Sequence, residues 1–538
     1  MKQTTTLFFL SILLVASVLR LWQLGMTPVS PDWDEVALGY NAYSILKTGR
    51  DEYGTKFPLS LRSYDDYKPP LYMYVTIPFV ALFGLETWAV RLPSALAGIL
   101  AVYGTYLLTK ELFSRKDLAL VASLLLALSP WHIQFSRIAF EANLGVALNI
   151  FATYCFLKGL INKRMFLFSA FLFGLSLYAY HSERIFVPIL VVLLVVIYRK
   201  HVLVMRRHFL YCGIVGIVTA LPLFSVFMNQ STLTRLRGTS SLADQTGLLA
   251  RTVAKLEKDG KDGNAWGLVF DNRRLVWFKT LVDGYLAHYS MRWLFLTGDN
   301  PRHHAPDMGL LYIIELPFFL FGMYQIGKQK DRGRILLFSW FLIAPIAASP
   351  TTELPHAIRT LVFLPTFQIF SAAGVIAYAS IMKEKYSKGI AVSILLFTLL
   401  CFMVNIAYYL HMYFGHMNHE YSKYWQYGYK EAAAYAQQHR QDYDRIVVST
   451  RLEQPHMFFL FFLKYDPVRY LAEGGTASGG FAERKNRFDI YEFRPIDWDG
   501  ETKNEKTLFI GTPKEIPQAT LATIFYLNGD EAIRIASR

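Results

Sequence analysis

The sequence predicts a polytopic α-helical membrane protein of about eleven spans with a small α/β soluble domain at its C-terminal end. Three observations carry that prediction. Of 538 residues, 53% are hydrophobic and 16% aromatic, too apolar a mixture for a soluble chain of this size. The apolar residues come in blocks near membrane-span length. The 55 Lys and Arg, against 41 Asp and Glu, gather in short loops between those blocks, as positive-inside orientation requires. The resulting net charge of +14 would by itself suggest a nucleic-acid partner, but its distribution argues for a membrane and no nucleic acid. Cys155, Cys212 and Cys401 all fall inside apolar runs and supply neither a disulfide framework nor a metal-ligand spacing.

Taken in order, residues 4–19 form an apolar run followed by Arg20-Leu21-Trp22 rather than a small-x-small cleavage site, so an uncleaved first span is expected. Residues 23–88 form a polar outer loop with interfacial helices. Within it Glu35 to Lys47 has helical periodicity, with Leu38, Ala42 and Ile45 on one side and Thr48-Gly49 as the stop. That pattern reads as a short amphipathic helix along the membrane interface. Pro70–Leu85 is apolar but short and broken by Pro78, so it is expected to lie at the interface without crossing.

With that run parked, spans at 4–22, 89–110, 118–135, 142–157, 165–180, 185–198, 209–228, 308–326, 335–348, 360–381 and 390–412 put every basic loop on the cytoplasmic side. Asp34, Lys68, Arg137, Glu141, His181, Arg184, the loop 229–307, His356, Arg359 and the C-terminal region then share the opposite face. A membrane domain of residues 1–412 and an extracytoplasmic domain of residues 413–538 follow. The latter shows a helix over Tyr424–Arg440 and strands at Arg445–Thr450, Phe488–Phe493, Thr507–Gly511 and Thr523–Leu527.

The polar residues on that face carry the chemistry. Asp32 and Glu35 have the spacing of a capping box, which leaves Asp34 with no structural task; a carboxylate there suits a general base. Lys68 follows Asp65, Asp66 and Tyr67 and precedes Pro69-Pro70. It either snorkels to headgroups or is aimed by the prolines at a lipid phosphate. Arg137 with Glu141, His181 with Arg184, and His356 with Arg359 are pairs three or four residues apart at span ends. Each can be a local ion or headgroup pair; together with Lys68 they read as a shared anion site. Gly298-Asp299-Asn300-Pro301-Arg302-His303-His304 reads as a turn with satisfied histidines rather than a metal site, because adjacent histidines do not easily face one ion.

Several stretches resemble the C-type membrane glycosyltransferases, and within them the protein O-mannosyltransferase and aminoarabinose-transferase group, glycosyltransferase family 39. The resemblance lies in Asp34-Glu35-Val-Ala-Leu-Gly39, Asp66-Tyr67-Lys68-Pro69-Pro70-Leu71-Tyr72 and Val90-Arg91-Leu92-Pro93-Ser94-Ala95. Ser129-Pro130 with Arg137 and Glu141, Tyr180-His181-Ser182-Glu183-Arg184, and His356-Ala357-Ile358-Arg359 extend it. It implies the C-type glycosyltransferase fold and inverting transfer of a sugar from a polyprenyl-phosphate carrier, outside the cytoplasmic membrane. The acceptor would be a hydroxyl or phosphate on a protein, lipid or glycan. Asp34 would be the base, Glu35 and Tyr67 would help bind substrate, and Lys68, Arg137, Arg184 and Arg359 would meet phosphate or sugar, with Glu141, His181 and His356 beside them. Glu141 stands where many relatives carry aspartate. No cofactor is required; a divalent metal is compatible with the chemistry but unsupported by any ligand spacing. The alternative is a transporter or flippase of a lipid-linked sugar. It would place polar residues at mid-membrane depth, whereas Leu118–Leu128 and Val187–Ile197 carry no charge.

Overall fold

The computed structural model describes residues 2–64, 66–227, 238, 240–243, 245–479, 486–502, 506–518 and 521–537. Asp65 and the start of the 229–307 loop lie outside the described residues. Each of the eleven expected spans coincides with helix. In order these are α1 (Lys2–Leu21), α4 (Thr87–Phe113), the pair α5 (Lys116–Leu128) and α6 (Pro130–Ser136), α7 (Ala142–Gly159), α8 (Met165–Ser176), α9 (Glu183–Ile197), then, after the short connecting α10 (Arg199–Val204), α11 (Arg206–Phe227), α15 (Glu315–Gly327), α16 (Arg332–Ile343), α17 (Thr366–Lys385) and α18 (Lys388–His411). Four helices among the described residues, beginning at Thr87, Arg206, Leu361 and Lys388, are long and apolar enough to cross a membrane by themselves. A fifth is added if the pair broken by 60° at Ser129 counts as one. The others are shorter, or, like α7, carry Asn143 and Asn149 within an otherwise apolar helix.

Between the first two of these lie α2 (Trp33–Thr48), the hairpin β1 (Leu61–Ser63) and β2 (Asp66–Lys68), and α3 (Leu71–Phe83). The capping box is present: Glu35 N–H donates to the Asp32 side chain, and the Asp32 N–H to Glu35 Oε2 at 3.2 Å. Gly49 ends the helix in the left-handed region, with φ 71°. The expected one-sided interfacial helix is not what forms. Residues 35–42 of α2 are buried all round, because a second layer covers the side that was expected to meet lipid. Gly39 sits in that sandwich: a Cβ there would come 2.7 Å from Val90 of α4 on one side and 2.8 Å from Phe461 on the other.

The covering layer is the C-terminal region. Helices α12 (Gln245–Lys261), α13 (Gly267–Phe270) and α14 (Arg273–Ala287) occupy the described part of the long loop. After α18 the chain passes through α19 (Met417–Tyr421) to α20 (Tyr429–Gln438), β3 (Arg445–Val448), α21 (Pro455–Phe462), α22 (Pro467–Ala472), β4 (Arg487–Phe488), β5 (Tyr491–Phe493), β6 (Thr507–Gly511), β7 (Ala522–Phe525) and β8 (Glu531–Ser537). The strands form one mixed sheet in the order β4-β5-β3-β6-β8-β7, with β3 parallel to both β5 and β6. The helix expected from Tyr424 begins only at Tyr429, because Gln426 (φ 43°) and Gly428 (φ 104°) turn the chain in the left-handed region first. The expected strand at 488–493 is instead an antiparallel hairpin, and β8 was not anticipated.

The apolar core is divided accordingly. One cluster fills the helix bundle. A second is shared by α2, α3, α20, α21 and the sheet, so the C-terminal region closes its core on the segment between α1 and α4.

Candidate active site

Beneath that layer is a polar cavity of about 690 Å³. Its wall is assembled from the first turn of α2 (Trp33, Asp34), the end of β2 (Lys68), the turn before α7 (Glu141), the turn before α9 (His181), segment 298–303, segment 353–359, and Gln454 from the C-terminal region. Six of the ten expected site residues therefore line one space: Asp34, Lys68, Glu141, His181, His356 and Arg359.

The capping box fixes Asp34. With Asp32 and Glu35 engaged in the helix start, the residue between them projects outward, about 30% exposed at its side chain, and ion-pairs with the Lys68 ammonium. Lys68 is itself almost fully buried at the end of β2, with Pro69 and Pro70 directly after it. Burial alone would lower the pKa of that ammonium. The Asp34 and Glu141 carboxylates outweigh it and hold the Lys68 pKa above its ordinary value.

Arg302 and Arg359 add two more guanidinium groups to the wall. Arg302 donates to Asp32 at 3.1 Å and lies over the Trp33 ring, 4.6 Å from its centroid. Asp32 is thus more than a helix cap. Burial, and then the Asp34 charge, push its carboxyl up to about 7 despite Arg302. Arg359 donates to Thr351 Oγ1 at 2.8 Å and to the Thr352 carbonyl at 2.6 Å.

Four expected residues are not at the cavity wall. Glu35 is buried behind it, receiving Nε and Nη2 of Arg91 at 2.9 and 2.8 Å and the Ala139 N–H at 2.8 Å. Arg137 turns the other way. It donates to the carbonyls of Leu19, Gln23 and Thr27 at 2.9–3.2 Å and lies under Tyr413 and Phe414, so its charge ties down the end of α1. Its expected pairing with Glu141 on one helix face fails for a local reason: α6 stops at Ser136 and α7 starts at Ala142, leaving no helix between them. Arg184 lies behind His181, 3.4 Å from its Nδ1. Tyr67 stands half-buried in β2, outside the lining.

The segment read as a turn with satisfied histidines is only half that. His304 turns into the backbone, its ring nitrogens each 2.6 Å from a carbonyl oxygen, those of Ala305 and Asp299. His303 faces the cavity instead, bonded through Nδ1 to Asp299 Oδ2 at 2.9 Å, with its ring 5.1 Å from that of His356. Ligating atoms of Asp299, His303 and His356 lie within 4.8 Å of one another. One carboxylate and two imidazoles suit a zinc-like cation. Asp299 Oδ2, however, already accepts from His303 and from the Ala357 N–H at 2.6 Å, so that oxygen is engaged in the resting site. Those bonds override burial and hold the Asp299 carboxyl at about 2. Burial and the neighbouring cations push His356 well below the usual histidine range.

Sequence reasoning also missed Trp33, Tyr64, Tyr180 and Trp293, aromatic walls of the cavity. Aromatics beside carboxylates and cations in an outer loop were the available signal.

With this geometry in view, comparison with known proteins is informative. Residues 67–227 match the family described as dolichyl-phosphate-mannose-protein mannosyltransferase. YycA of Bacillus subtilis (strain 168), provisionally named a mannosyltransferase, is 32% identical over 111 residues, a match spanning 20% of this chain and 16% of that relative's length. Among solved structures, ArnT from Cupriavidus metallidurans in the apo state superposes over 100% of this chain and 98% of its own, with TM-score 0.54 and 14% identity. The same protein bound to undecaprenyl phosphate gives the same score. The Archaeoglobus fulgidus oligosaccharyltransferase in complex with Zn and sulfate gives 0.50 at 13% identity, over 85% of this chain and 61% of its own. These comparisons give no support to the transporter reading. Through a sequence match confined to residues 67–227 and a shared fold, the chain resembles the C-type membrane glycosyltransferases, and within them glycosyltransferase family 39.

Proposed function

We propose that the protein transfers a hexose or pentose from a polyprenyl-phosphate carrier to a hydroxyl or phosphate of a protein, lipid or glycan acceptor, with inversion at the sugar C1. The reaction takes place at the outer face of the cytoplasmic membrane, beneath a chain that crosses eleven times. The observation that carries the reading is the Asp34–Lys68 ion pair at the wall of a cavity that also holds Arg302 and Arg359. One relative of the same fold binds undecaprenyl phosphate, which supports a lipid-phosphate donor.

In the resting site the Lys68 ammonium neutralises Asp34. A carrier phosphate entering the cavity competes for that ammonium, and Asp34 is then left to accept a proton. For a hydroxyl acceptor, the oxygen attacks C1 from the face opposite the phosphate. The C1–O(phosphate) bond breaks, its electron pair leaves on the phosphate, and the acceptor proton passes to Asp34. Lys68, Arg302 and Arg359 offset the charge developing on the departing phosphate. No step needs a metal, although Asp299, His303 and His356 would hold one that screened the same charge. The test is Asp34→Asn in vesicles supplied with a polyprenyl-phosphate sugar. A large loss of transfer with donor binding retained is expected, and wild-type turnover in this variant would sink the assignment.

A further inference from the structure

Among the buried polar groups at the cavity that the proposed transfer leaves unused, one belongs to the C-terminal region. Gln454 is 4% exposed and lines the cavity, and its Oε1 is sealed from solvent with no hydrogen bond among the described residues. A buried amide oxygen without a partner costs stability unless something supplies a donor.

The backbone that delivers it is held in place at some cost. Glu453 and Gln454 are consecutive residues in the left-handed region, with φ 31° and 58°, a conformation non-glycine residues seldom adopt. The turn is pinned on its N-terminal side. Ser449 N–H donates to Ile510 O and Leu452 N–H to Ser449 O, while the Tyr429 hydroxyl donates to the Leu452 carbonyl. On the other side Pro455 starts α21, which packs on α2. Gln454 also stands in a loop where an α/β sheet is suited to hold a ligand. It follows the carboxyl end of β3; from there the chain leads to β5 on one side, whereas neighbouring β6 leads on to β7 and β8 on the other. Such reversals open a crevice at the strand ends.

We infer that Gln454 reads a hydroxyl of the sugar carried by the lipid phosphate, and so makes the C-terminal region part of the donor specificity of the site. The inference rests on the transfer reading for its ligand. An amide both donates and accepts, which matches a sugar hydroxyl, whereas Lys68, Arg302 and Arg359 only donate and suit the phosphate. A site built to hydrogen-bond a hydroxyl discriminates strongly against an analogue that lacks it.

The test uses the full chain in liposomes, wild type against Gln454→Met, with a panel of polyprenyl-phosphate hexoses and pentoses and their monodeoxy analogues. For the preferred sugar, Gln454→Met should lower kcat/KM roughly tenfold or more. Against the one deoxy analogue lacking the hydroxyl that Gln454 reads, the two proteins should perform alike, with the acceptor KM unchanged. An equal loss across every analogue, or a change confined to the acceptor KM, overturns the inference. If wild type transfers none of the sugars, the transfer reading fails, and equilibrium binding of the same donors still decides Gln454. Discrimination between a sugar and its deoxy analogue in wild type, absent from the variant, upholds its role; the same pattern in both proteins removes it.

Discussion

Glu35 offers the sharpest test, because its resemblance-implied role in substrate binding and its structural setting predict different outcomes. Its carboxylate accepts Nε and Nη2 of Arg91 and the N–H groups of Ala139 and Asp32, at 2.8–3.2 Å, with both side chains essentially inaccessible. Arg91 further donates to the carbonyls of Leu24, Pro28 and Ser30 at 2.8–3.1 Å. Arg91→Met leaves a buried carboxylate with two donors of its original four and strands three carbonyls. Breaking such a pair from one side costs about 3–5 kcal/mol. Glu35→Gln keeps the volume and loses the charge, and should fall at the lower end of that range. Glu35→Met/Arg91→Met should be less destabilised than the sum of its parts, since no lone charge is left buried. The assay is loss of folded protein on heating in detergent, read beside the donor KM at a temperature where each variant is still folded. A large drop in thermal stability with donor KM unchanged is expected. Wild-type stability for Arg91→Met, or a raised donor KM in a stable Glu35→Gln, would refute the structural assignment.

Lys68→Met should raise the donor KM by roughly tenfold or more, the worth of a charge-assisted hydrogen bond, while leaving acceptor KM alone; unchanged donor KM in a kinetic assay argues against phosphate contact. Gly374→Val should reduce folded yield through overpacking of about 1–3 kcal/mol, because a Cβ there meets the Phe318 carbonyl oxygen of α15 at 1.9 Å. Gly389→Val, which meets nothing, is the control in the same size-exclusion assay. Burial holds His356 well below its ordinary pKa and His288 at about 4, so at these two sites the unfolded chain binds more protons than the folded one below about pH 6.5. The histidine contribution to thermal stability should therefore be flat above that pH and fall beneath it, so His356→Gln should have a shallower acid slope than wild type; an unchanged slope excludes His356 as a source. A chelator should leave transfer undiminished, since Lys68, Arg302 and Arg359 supply the positive charge; metal-dependent turnover would instead move that role to Asp299, His303 and His356.

The positions of the helices were legible because hydropathy blocks and basic loops are properties of short windows. So was the capping box that leaves Asp34 free, since it needs only a three-residue spacing. What the sequence could not convey was direction. Arg137 looks like an anion ligand at a span end, yet the non-helical stretch from Arg137 to Glu141 points the two side chains to different neighbours. Arg302 and His303 were passed over because their partners, Asp32 and His356, are remote in sequence. The burial of α2 on both sides was equally hidden, because its second cover comes from a helix more than four hundred residues later.

That late cover has a consequence for engineering and for ancestry. Phe461 presses on Gly39, and α2 and α3 share one apolar core with α20, α21 and the sheet. A C-terminal fragment cut at residue 413 would come away with the face of α21 that packs on α2 uncovered. A chimera between relatives should accordingly exchange residues 33–83 together with the tail, as one cassette written in two distant parts of the gene.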